Sequence, residues 1–269
     1  MEKITDIKQL SRLIMSSMKR GVITNCFNAP SFSFDIEEGR VYFEKQCDSL
    51  FLLRMRDSVG IINFYINEGG RLAEFAKKCT SVCALDLVTE IPDCDKASAS
   101  DAELRLTSIV TSGGFEPILK RTMLERAPSD DCKSLHDGNV TSSCDDVKRM
   151  YDIMRSALSP VTGCVPTYAE FEFDVKNGSV FAFCENGTVK GILRYSVEKK
   201  AVAIKQLAVD REYRRCGIGE RLVCGVISSY PDKRVTVWTG TENTAALSLY
   251  EKCGFVRLGG RSIVYRYIK

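Results

Sequence analysis

The sequence is poor in histidine and has no closely spaced cysteine pair. His136 is the single histidine among 269 residues, and the twelve cysteines form no C-x-x-C motif. Tetrahedral zinc sites need clustered Cys and His ligands, so we expect no bound metal ion. A lone histidine in a polar, loop-like stretch also argues against Ser-His-Asp and Cys-His mechanisms.

Long apolar runs and a strong net charge are also absent. No run approaches the roughly 18 apolar residues of a membrane-spanning helix, and the acidic N-terminus is unlike a secretory signal. With 38 Lys+Arg against 35 Asp+Glu, the net charge of +3 is too small to indicate a nucleic-acid binder. Cysteines scattered through apolar runs are typical of reduced thiols. We therefore predict a cytoplasmic protein whose partners are neither membranes nor nucleic acids.

One polar segment divides the chain into nearly equal halves. Residues 127–143 read APSDDCKSLHDGNVTSS and show no sustained apolar period. Such a run of Ser, Asp, Gly and Pro predicts a linker. The predicted domains on either side of it cover residues 1–126 and 144–269.

The two halves contain similar segments in the same order. Residues 49–65 and 179–195 each consist of two apolar, strand-like runs around a polar break, which is typical of a hairpin. Further on, Gly114-Phe115 and Gly254-Phe255 each follow a helix-like segment and precede a strand-like one. This order suggests a duplicated domain, and chance resemblance between ordinary segments is the alternative.

Apolar periodicity in the second half predicts alternating helices and strands. In chain order these are a helix over Asp145–Leu158, a short helix opening at Pro166, strands over Val180–Cys184, Val189–Ser196 and Ala201–Val209, a helix over Gly217–Ser229, a strand over Arg234–Thr239, a helix over Asn243–Cys253, and strands around Phe255 and over Ile263–Ile268. A strand–helix–strand crossover within this order indicates an α/β fold, an α+β mixed sheet with partly parallel pairing.

The segment LAVDREYRRCGIGERL, which begins at Leu207, is the most informative in the chain. A strand ends near Val209, two arginines follow, and Gly217 and Gly219 open an amphipathic helix. A helix N-terminus offers unpaired N–H groups and a positive dipole end, which suit phosphate. The glycines leave space for a ligand against the backbone. The pattern is neither a Walker loop nor a dinucleotide fingerprint, and a plain helix start with solvated arginines is the alternative.

The strand before this loop carries a further signal. Its apolar alternation slips by one residue between Ile204 and Leu207. A slip of this kind predicts a β-bulge, a feature that is frequent beside functional sites.

Taken together, these segments resemble the GNAT superfamily of N-acetyltransferases. The run from Arg214 through Gly219 is similar to the family's Arg/Gln-x-x-Gly-x-Gly/Ala acyl-CoA loop, and Leu207-Ala-Val209 to its splayed strand. The pattern Asn243…Ala246…Tyr250…Gly254-Phe255 resembles its second motif. The resemblance covers about Asp145 to Lys269. With the similar segments of the first half, it implies two tandem GNAT-like domains, the first degenerate, each a mixed, mostly antiparallel twisted sheet flanked by helices.

The resemblance implies a role for each matching residue. Acetyl-CoA would be the cosubstrate, and its pyrophosphate would bind the backbone N–H groups of Arg214, Arg215, Cys216, Gly217, Ile218 and Gly219. The pantetheine arm would lie along Leu207, Ala208 and Val209, beside Asn243. Tyr250 would be the general acid that protonates the departing thiolate. A core tyrosine is the alternative, because residues 246, 249, 250 and 253 form an apolar stripe.

The sequence departs from the family pattern in two places. Where many members carry a glutamate base, the strand has only Lys205 and Gln206. The base is left open between a water chain, a carboxylate such as Glu170 or Glu172, and a group from the first half. In the first half, residues 67–72 replace the acyl-CoA loop and no tyrosine matches Tyr250, so we expect one acetyl-CoA per chain.

The implied activity is direct transfer of an acetyl group from acetyl-CoA to a primary amine. Whether the acceptor is a small molecule, a peptide terminus or a lysine stays open, as does the oligomeric state. A non-catalytic CoA-binding or interaction module is the alternative. A nucleic-acid interface would depend on Lys120-Arg121 and on the arginines of the loop, which lack interleaved aromatic residues.

Overall fold

The computed structural model describes residues 1–25, 32–67, 70–89, 101–128, 138–142 and 144–268. The chain divides into two compact units: unit 1 is Met1–Lys120 with Arg261–Lys269, and unit 2 is Arg121–Gly260. His136 and most of the predicted linker lie outside the described residues. The described helices include none that combines the length and the apolar character needed to cross a membrane.

Unit 1 is a mixed sheet with helices on both faces. Its elements in chain order are β1 (Glu2–Lys3), α1 (Ile7–Ser17), β2 (Ile23–Thr24), α2 (Ser33–Glu37), β3 (Val41–Gln46), β4 (Ser49–Arg56), β5 (Val59–Ile66), α3 (Leu72–Lys77), β6 (Val82–Thr89), α4 (Asp101–Ser112) and the first half of β7 (Phe115–Arg126). The sheet order is β1-β3-β4-β5-β6, and the end of a C-terminal strand, β13 (Val256–Tyr267), follows β6. The β5–β6 pair is parallel, and the other pairs along this order are antiparallel.

Unit 2 repeats this plan. Its elements are the end of β7, β8 (Val140–Thr141), α5 (Val147–Ala157), α6 (Tyr168–Lys176), β9 (Val180–Glu185), β10 (Thr188–Val197), β11 (Ala201–Val209), α7 (Ile218–Ser229), β12 (Arg234–Gly240), α8 (Thr244–Lys252) and the first part of β13. The sheet order is β7-β12-β11-β10-β9-β8. The β11–β12 pair is parallel and the other pairs are antiparallel, so the predicted fold class is confirmed.

Alternation along each strand buries both faces of each sheet. In β4, Phe51 and Leu53 pack with α3 and α4, whereas Leu50 and Leu52 pack with α1 and α2. In unit 2, β10 does the same between the α7–α8 layer and the α5–α6 layer. Side chains of successive strand residues point to opposite faces, so apolar runs of this kind are covered on both sides.

Each unit takes one strand from the other half of the chain. Residues 121–126 of β7 pair with β12 in unit 2, and residues 261–266 of β13 pair with β6 in unit 1. Leu124 is fully buried in the core of unit 2, and Tyr265 is buried in the core of unit 1. The two strands predicted around Phe255 and over Ile263–Ile268 are one strand, β13, which corrects that expectation.

The similar hairpins of the two halves are not structural equivalents. The hairpin over 49–65 is β4–β5, and β5 runs parallel to β6 after a helical crossover. In unit 2 that position belongs to β10–β11, since β11 runs parallel to β12. The segment 179–195 is β9–β10, one strand earlier. Apolar strands of similar length look alike in sequence. The sequence comparison therefore pairs the β4–β5 hairpin with β9–β10, although its structural counterpart is β10–β11.

Candidate functional site

The parallel strands at the middle of unit 2 separate part-way along their length. The β11–β12 pairing ends at Ile204 opposite Val237, while β12 continues beside β7 as far as Gly240. At the same point, the β10–β11 register skips Lys205, because Ile204 pairs with Tyr195 and Gln206 with Arg194. This irregularity confirms the predicted bulge. Beyond it, β11 follows β10 and has an edge that β12 does not cover.

Leu207 and Val209 direct their backbone groups to this open edge. The Asp210 N–H donates to the Lys190 carbonyl of β10 at 2.9 Å. Residues along an antiparallel strand alternate in the edge that they address, so Ala208 and Asp210 face β10 while Leu207 and Val209 face away. The Val209 carbonyl accepts from Arg214 Nε at 3.2 Å. A ligand with amide groups could therefore add to β11 as a further strand.

The loop after β11 leads into a helix whose N-terminus has no side-chain cap. Asp6, Asp146, Thr167 and Asn243 cap α1, α5, α6 and α8 through side-chain oxygens. Gly217 at the N-cap of α7 has no side chain and offers none. The N–H groups of its first turn therefore remain available to an anion.

The backbone of this loop is held in an uncommon conformation. Arg215 has a φ of 63° and Gly217 a φ of 76°, both in the left-handed region. For a residue with a side chain, that region costs about 1–2 kcal/mol. Turns of this type direct successive N–H groups into one concave surface that suits anions. Arg214, Arg215 and Cys216 are exposed there.

The two loop glycines serve different purposes. A Cβ on Gly217 would meet nothing within 4 Å, so the surface beside it is open. A Cβ on Gly219 would lie 3.2 Å from Leu249 Cδ2 and 3.9 Å from Leu207 Cδ2. The space beside Gly219 is therefore filled by protein, contrary to the expectation that it receives ligand. The same contacts show that β11, α7 and α8 meet at this point, next to Ile218 in the core.

Tyr250 lies on α8 with a buried ring and an unpaired hydroxyl. Its exposed fraction is 4%, and its ring centroid is 5.4 Å from that of Phe255. The hydroxyl makes no hydrogen bond to another described residue, and it is not among the fully buried polar atoms that lack a partner, so water can reach it. Burial, with a smaller contribution from Cys253, raises the pKa of Tyr250 above its usual range. The side chain therefore keeps its proton at neutral pH.

Asn243 has a structural contact of its own. Its Oδ1 accepts from the Ala246 N–H at 3.1 Å and caps α8. The residue is exposed, so its amide nitrogen can still donate to a ligand.

A buried polar network beneath the bulge was not predicted. Gln206 is 5% exposed, and its Nε2 donates to the carbonyls of Gly163 and Cys164 at 3.2 and 3.0 Å. Its Oε1 accepts from Arg194 Nη1 at 3.1 Å. Arg194 also binds two carboxylates that lie one turn apart on α6, Glu170 at 2.9 Å and Asp174 at 2.6 Å. The sequence signal was an arginine inside an apolar strand.

The two carboxylates considered as a base are each paired with a cation. Glu170 is ion-paired with Arg194, and Glu172 lies 3.3 Å from Lys176 at the surface. Burial, and secondarily Glu170, raise the pKa of Asp174 despite the Arg194 guanidinium. Burial, and then Arg194, lower the pKa of Lys205 at the bulge. Every carboxylate of α6 among the described residues therefore has a cationic partner.

Comparisons with known proteins agree with this geometry. Residues 147–255 match the family model described as the acetyltransferase (GNAT) family. A search of the curated proteins found no match. Among solved structures, a tandem GNAT protein from the clavulanic acid biosynthesis pathway is 13% identical, with a TM-score of 0.61 over 98% of this chain and 97% of that chain.

Two further structures share the fold at low identity. An acetyltransferase from the GNAT family of Colwellia psychrerythraea is 10% identical, with a TM-score of 0.57 over 99% of both chains. A GCN5-related N-acetyltransferase from Sphaerobacter thermophilus is 16% identical, with a TM-score of 0.56 over 81% of this chain and 76% of that chain. The fold is thus that of a tandem GNAT protein. Residues 147–255 therefore form a domain of the acetyltransferase (GNAT) family, whose general activity is acyl transfer.

Proposed function

We propose that the protein transfers an acetyl group from acetyl-CoA to a primary amine by direct attack. The observation that carries the proposal is the open edge of β11 at Leu207 and Val209, which leads directly to the uncapped start of α7. An edge that can pair with amides and a helix end that can bind phosphate follow each other along the chain. Acyl-CoA has these two features in the same order, an amide-bearing arm and a pyrophosphate.

The loop fits a pyrophosphate in charge as well as in shape. First-turn N–H groups and the positive end of the α7 dipole favour an anion. Arg214 and Arg215 add two exposed positive charges, and the open space beside Gly217 lets phosphate approach the backbone. The Asn243 amide nitrogen can donate to the arm.

Positioning supplies most of the proposed catalysis. A thioester is already activated, so a neutral amine held against it gains from proximity. The amine nitrogen forms a bond to the acyl carbon, and the C–S bond breaks. Tyr250 donates its proton to the departing sulfur, and the extra proton of the amine leaves through solvent. We assign no protein base, because the α6 carboxylates are ion-paired.

The acceptor is a small molecule or a peptide that carries the amine. We place the reaction in the cytoplasm, and the nine cysteines within the described ranges, all free thiols, support a reducing compartment. A non-catalytic CoA-binding module is the second candidate, and it is favoured by Tyr250 being part of the apolar core.

Release of free thiol from acetyl-CoA in the presence of an amine panel distinguishes the two candidates. Gly217→Asp puts a carboxylate where phosphate would lie, and aspartate tolerates a positive φ better than most residues. Gly187→Asp is the matched control, since Gly187 has a φ of 73° and open space around it, but lies in the β9–β10 turn. We expect turnover by the wild type and by Gly187→Asp, and its loss in Gly217→Asp. Tight CoA binding without turnover of any amine would identify the module.

A further inference from the structure

Unit 1 contains the same strand separation as unit 2. Its parallel pair β5–β6 is in register only from Val59 to Ile61, although β5 continues to Ile66. Beyond Ile61 the strand stays paired with β4 but no longer with β6. An edge corresponding to that of Leu207 and Val209 is therefore present in the first half of the chain.

In unit 1 this edge is occupied by the protein itself. The short strand β2 pairs antiparallel with the end of β5, with Ile23 opposite Ile66 and Thr24 opposite Tyr65. The next residue, Asn25, is 8% exposed, and its side chain continues the ladder.

The Asn25 amide makes the hydrogen bonds that a ligand amide would make. Its Nδ2 donates to the Ile62 carbonyl at 2.9 Å, and its Oδ1 accepts from the Phe64 N–H at 2.8 Å. The Thr24 hydroxyl donates to the Phe64 carbonyl at 2.6 Å. These contacts satisfy the edge of β5 just past the separation, where β11 is open.

The surroundings of β2 repeat those of the proposed acyl-CoA site. Helix α4 lies against β2, as expected for the counterpart of α8. Val110 precedes Gly114-Phe115 by the spacing that separates Tyr250 from Gly254-Phe255, and it is fully buried. The position of the proposed acid is thus held by an aliphatic side chain.

The connection that would hold phosphate is short in unit 1 and tied to other elements. Only residues 67–71 separate β5 from α3, a helix of six residues. The Asn67 Nδ2 donates to the carbonyls of Ser17 and Asp48 at 2.9 and 2.7 Å, and the Arg71 N–H donates to Gln46 Oε1 at 2.8 Å. These groups are already satisfied.

The acyl-CoA slot of unit 1 is the edge of β5 beyond Ile61, where a pantetheine arm would otherwise pair. We propose that residues 23–25 permanently occupy this slot as an internal substitute for the pantetheine arm. The chain then binds one acyl-CoA, in unit 2, and the first slot is a closed structural element. The stoichiometry rests on the proposed function, whereas the occupied slot rests on the contacts of unit 1 alone.

Amide hydrogen exchange of the full chain, with CoA as the probe, tests both statements. Without CoA, we expect slow exchange at Phe64 within 62–66 and fast exchange at Leu207 and Val209, whose N–H groups face the open edge. Saturating CoA slows exchange at 207–209 and leaves 62–66 unchanged. Slower exchange at 62–66 upon addition of CoA would overturn the proposal. If CoA changes neither segment while 62–66 stays slow, the occupied slot stands and the proposed function fails.

Titration calorimetry provides the second readout. We expect one CoA per chain for the wild type and for Gly187→Asp, and no binding for Gly217→Asp. A stoichiometry near two, or a retained site in Gly217→Asp together with protection of 62–66, contradicts an occupied slot.

A variant of the occupying segment separates its role from general stability. Asn25→Ala removes both side-chain hydrogen bonds, so the Phe64 amide should exchange about tenfold faster. Thr24→Val keeps the shape of Thr24 and removes one bond to the Phe64 carbonyl, so that amide should change less. Unchanged exchange at Phe64 in Asn25→Ala would show that the segment does not close the edge.

Discussion

Tyr250 and Tyr195 are both 4% exposed in the same core of unit 2, yet their hydroxyls differ. The Tyr195 hydroxyl donates to the Gly178 carbonyl at 2.8 Å. The Tyr250 hydroxyl has no such partner among the described residues. Because water can reach the Tyr250 hydroxyl, that group adds little to stability, and removing it tests its chemical role alone.

This difference predicts opposite effects for the two Tyr→Phe variants. Tyr250→Phe should lower kcat by about 10²–10⁴-fold, the usual contribution of proton donation, with unchanged stability and CoA affinity. Tyr195→Phe should cost about 1 kcal/mol of folding free energy and leave kcat unchanged. Steady-state kinetics and urea unfolding measure both. A Tyr250→Phe enzyme within a factor of about two of the wild type falls below that range and would make the tyrosine structural.

Asp35 in unit 1 is a fully buried charge that is held by arginines. Its Oδ2 accepts from Arg54 Nε at 2.9 Å and from Arg56 Nη2 at 3.2 Å. Burial alone would raise the pKa of Asp35, but Arg54 and Arg56 outweigh it and lower the pKa below its usual value. A pKa lowered by folding contributes stability above the unfolded-state value, and that stability is lost as the pH falls.

Asp35→Asn should therefore destabilise the protein by about 3–5 kcal/mol at neutral pH, because it leaves buried arginines uncompensated. The wild type should lose this advantage as the pH falls below about 4, so the two proteins should converge there. Urea unfolding at several pH values measures it. Asp48→Asn is the control, since the Asp48–Lys19 pair is exposed and should change stability by less than about 0.5 kcal/mol. Equal effects of the two substitutions would contradict the assignment.

At the scale of elements, the sequence predicts the features that depend on short-range patterns, but it does not predict which distant strands pair. The α5 helix was predicted from its apolar stripe, and the structure adds the Asp146 cap at its start. The bulge at Lys205 followed from a phase slip within one strand. Alternation tells which face of a strand is buried but not which strand lies beside it, so neither the occupied slot nor the strand exchange could be predicted. The Arg194–Gln206 network joins distant segments and was missed for the same reason.

The loop backbone yields a prediction that separates conformation from charge. Arg215 has a φ of 63°, whereas the neighbouring Arg214 has a φ of −66°. Asparagine tolerates a positive φ and valine does not, while both remove the positive charge. At position 215, Val should weaken CoA binding by about tenfold more than Asn does, because the strain is about 1–2 kcal/mol.

Position 214 is the control for this comparison. Its backbone is in a region open to every residue, so Arg214→Val and Arg214→Asn should bind CoA equally. Both lose the bond from Arg214 Nε to the Val209 carbonyl, so any common loss cancels. Titration calorimetry of the four variants measures the difference. Equal affinities of the two position-215 variants would show that the left-handed turn is not needed for binding.

At the scale of the whole molecule, the strand exchange means that the chain halves and the folded units do not coincide. The last strand of the first half completes the sheet of unit 2, and the last strand of the second half completes that of unit 1. Neither half of the chain therefore contains all of its own core. Two units that share strands in this way cannot lose one half of the chain without exposing buried surface of the other unit.

The exchange predicts that damage will appear in the unit that is remote in sequence. Tyr265→Ala removes a side chain that is 2% exposed in the core of unit 1, at an expected cost of about 3–5 kcal/mol. Leu124→Ala removes a fully buried side chain from the core of unit 2, at about 2–5 kcal/mol. Hydrogen exchange should therefore accelerate in β5 for Tyr265→Ala, and in β11 for Leu124→Ala. CoA affinity should fall only in Leu124→Ala, because β12 then loses support from β7 beside the open edge of β11. If each substitution instead loosened the half of the chain in which it lies, the sheets would be completed by their own strands and the exchange would be wrong.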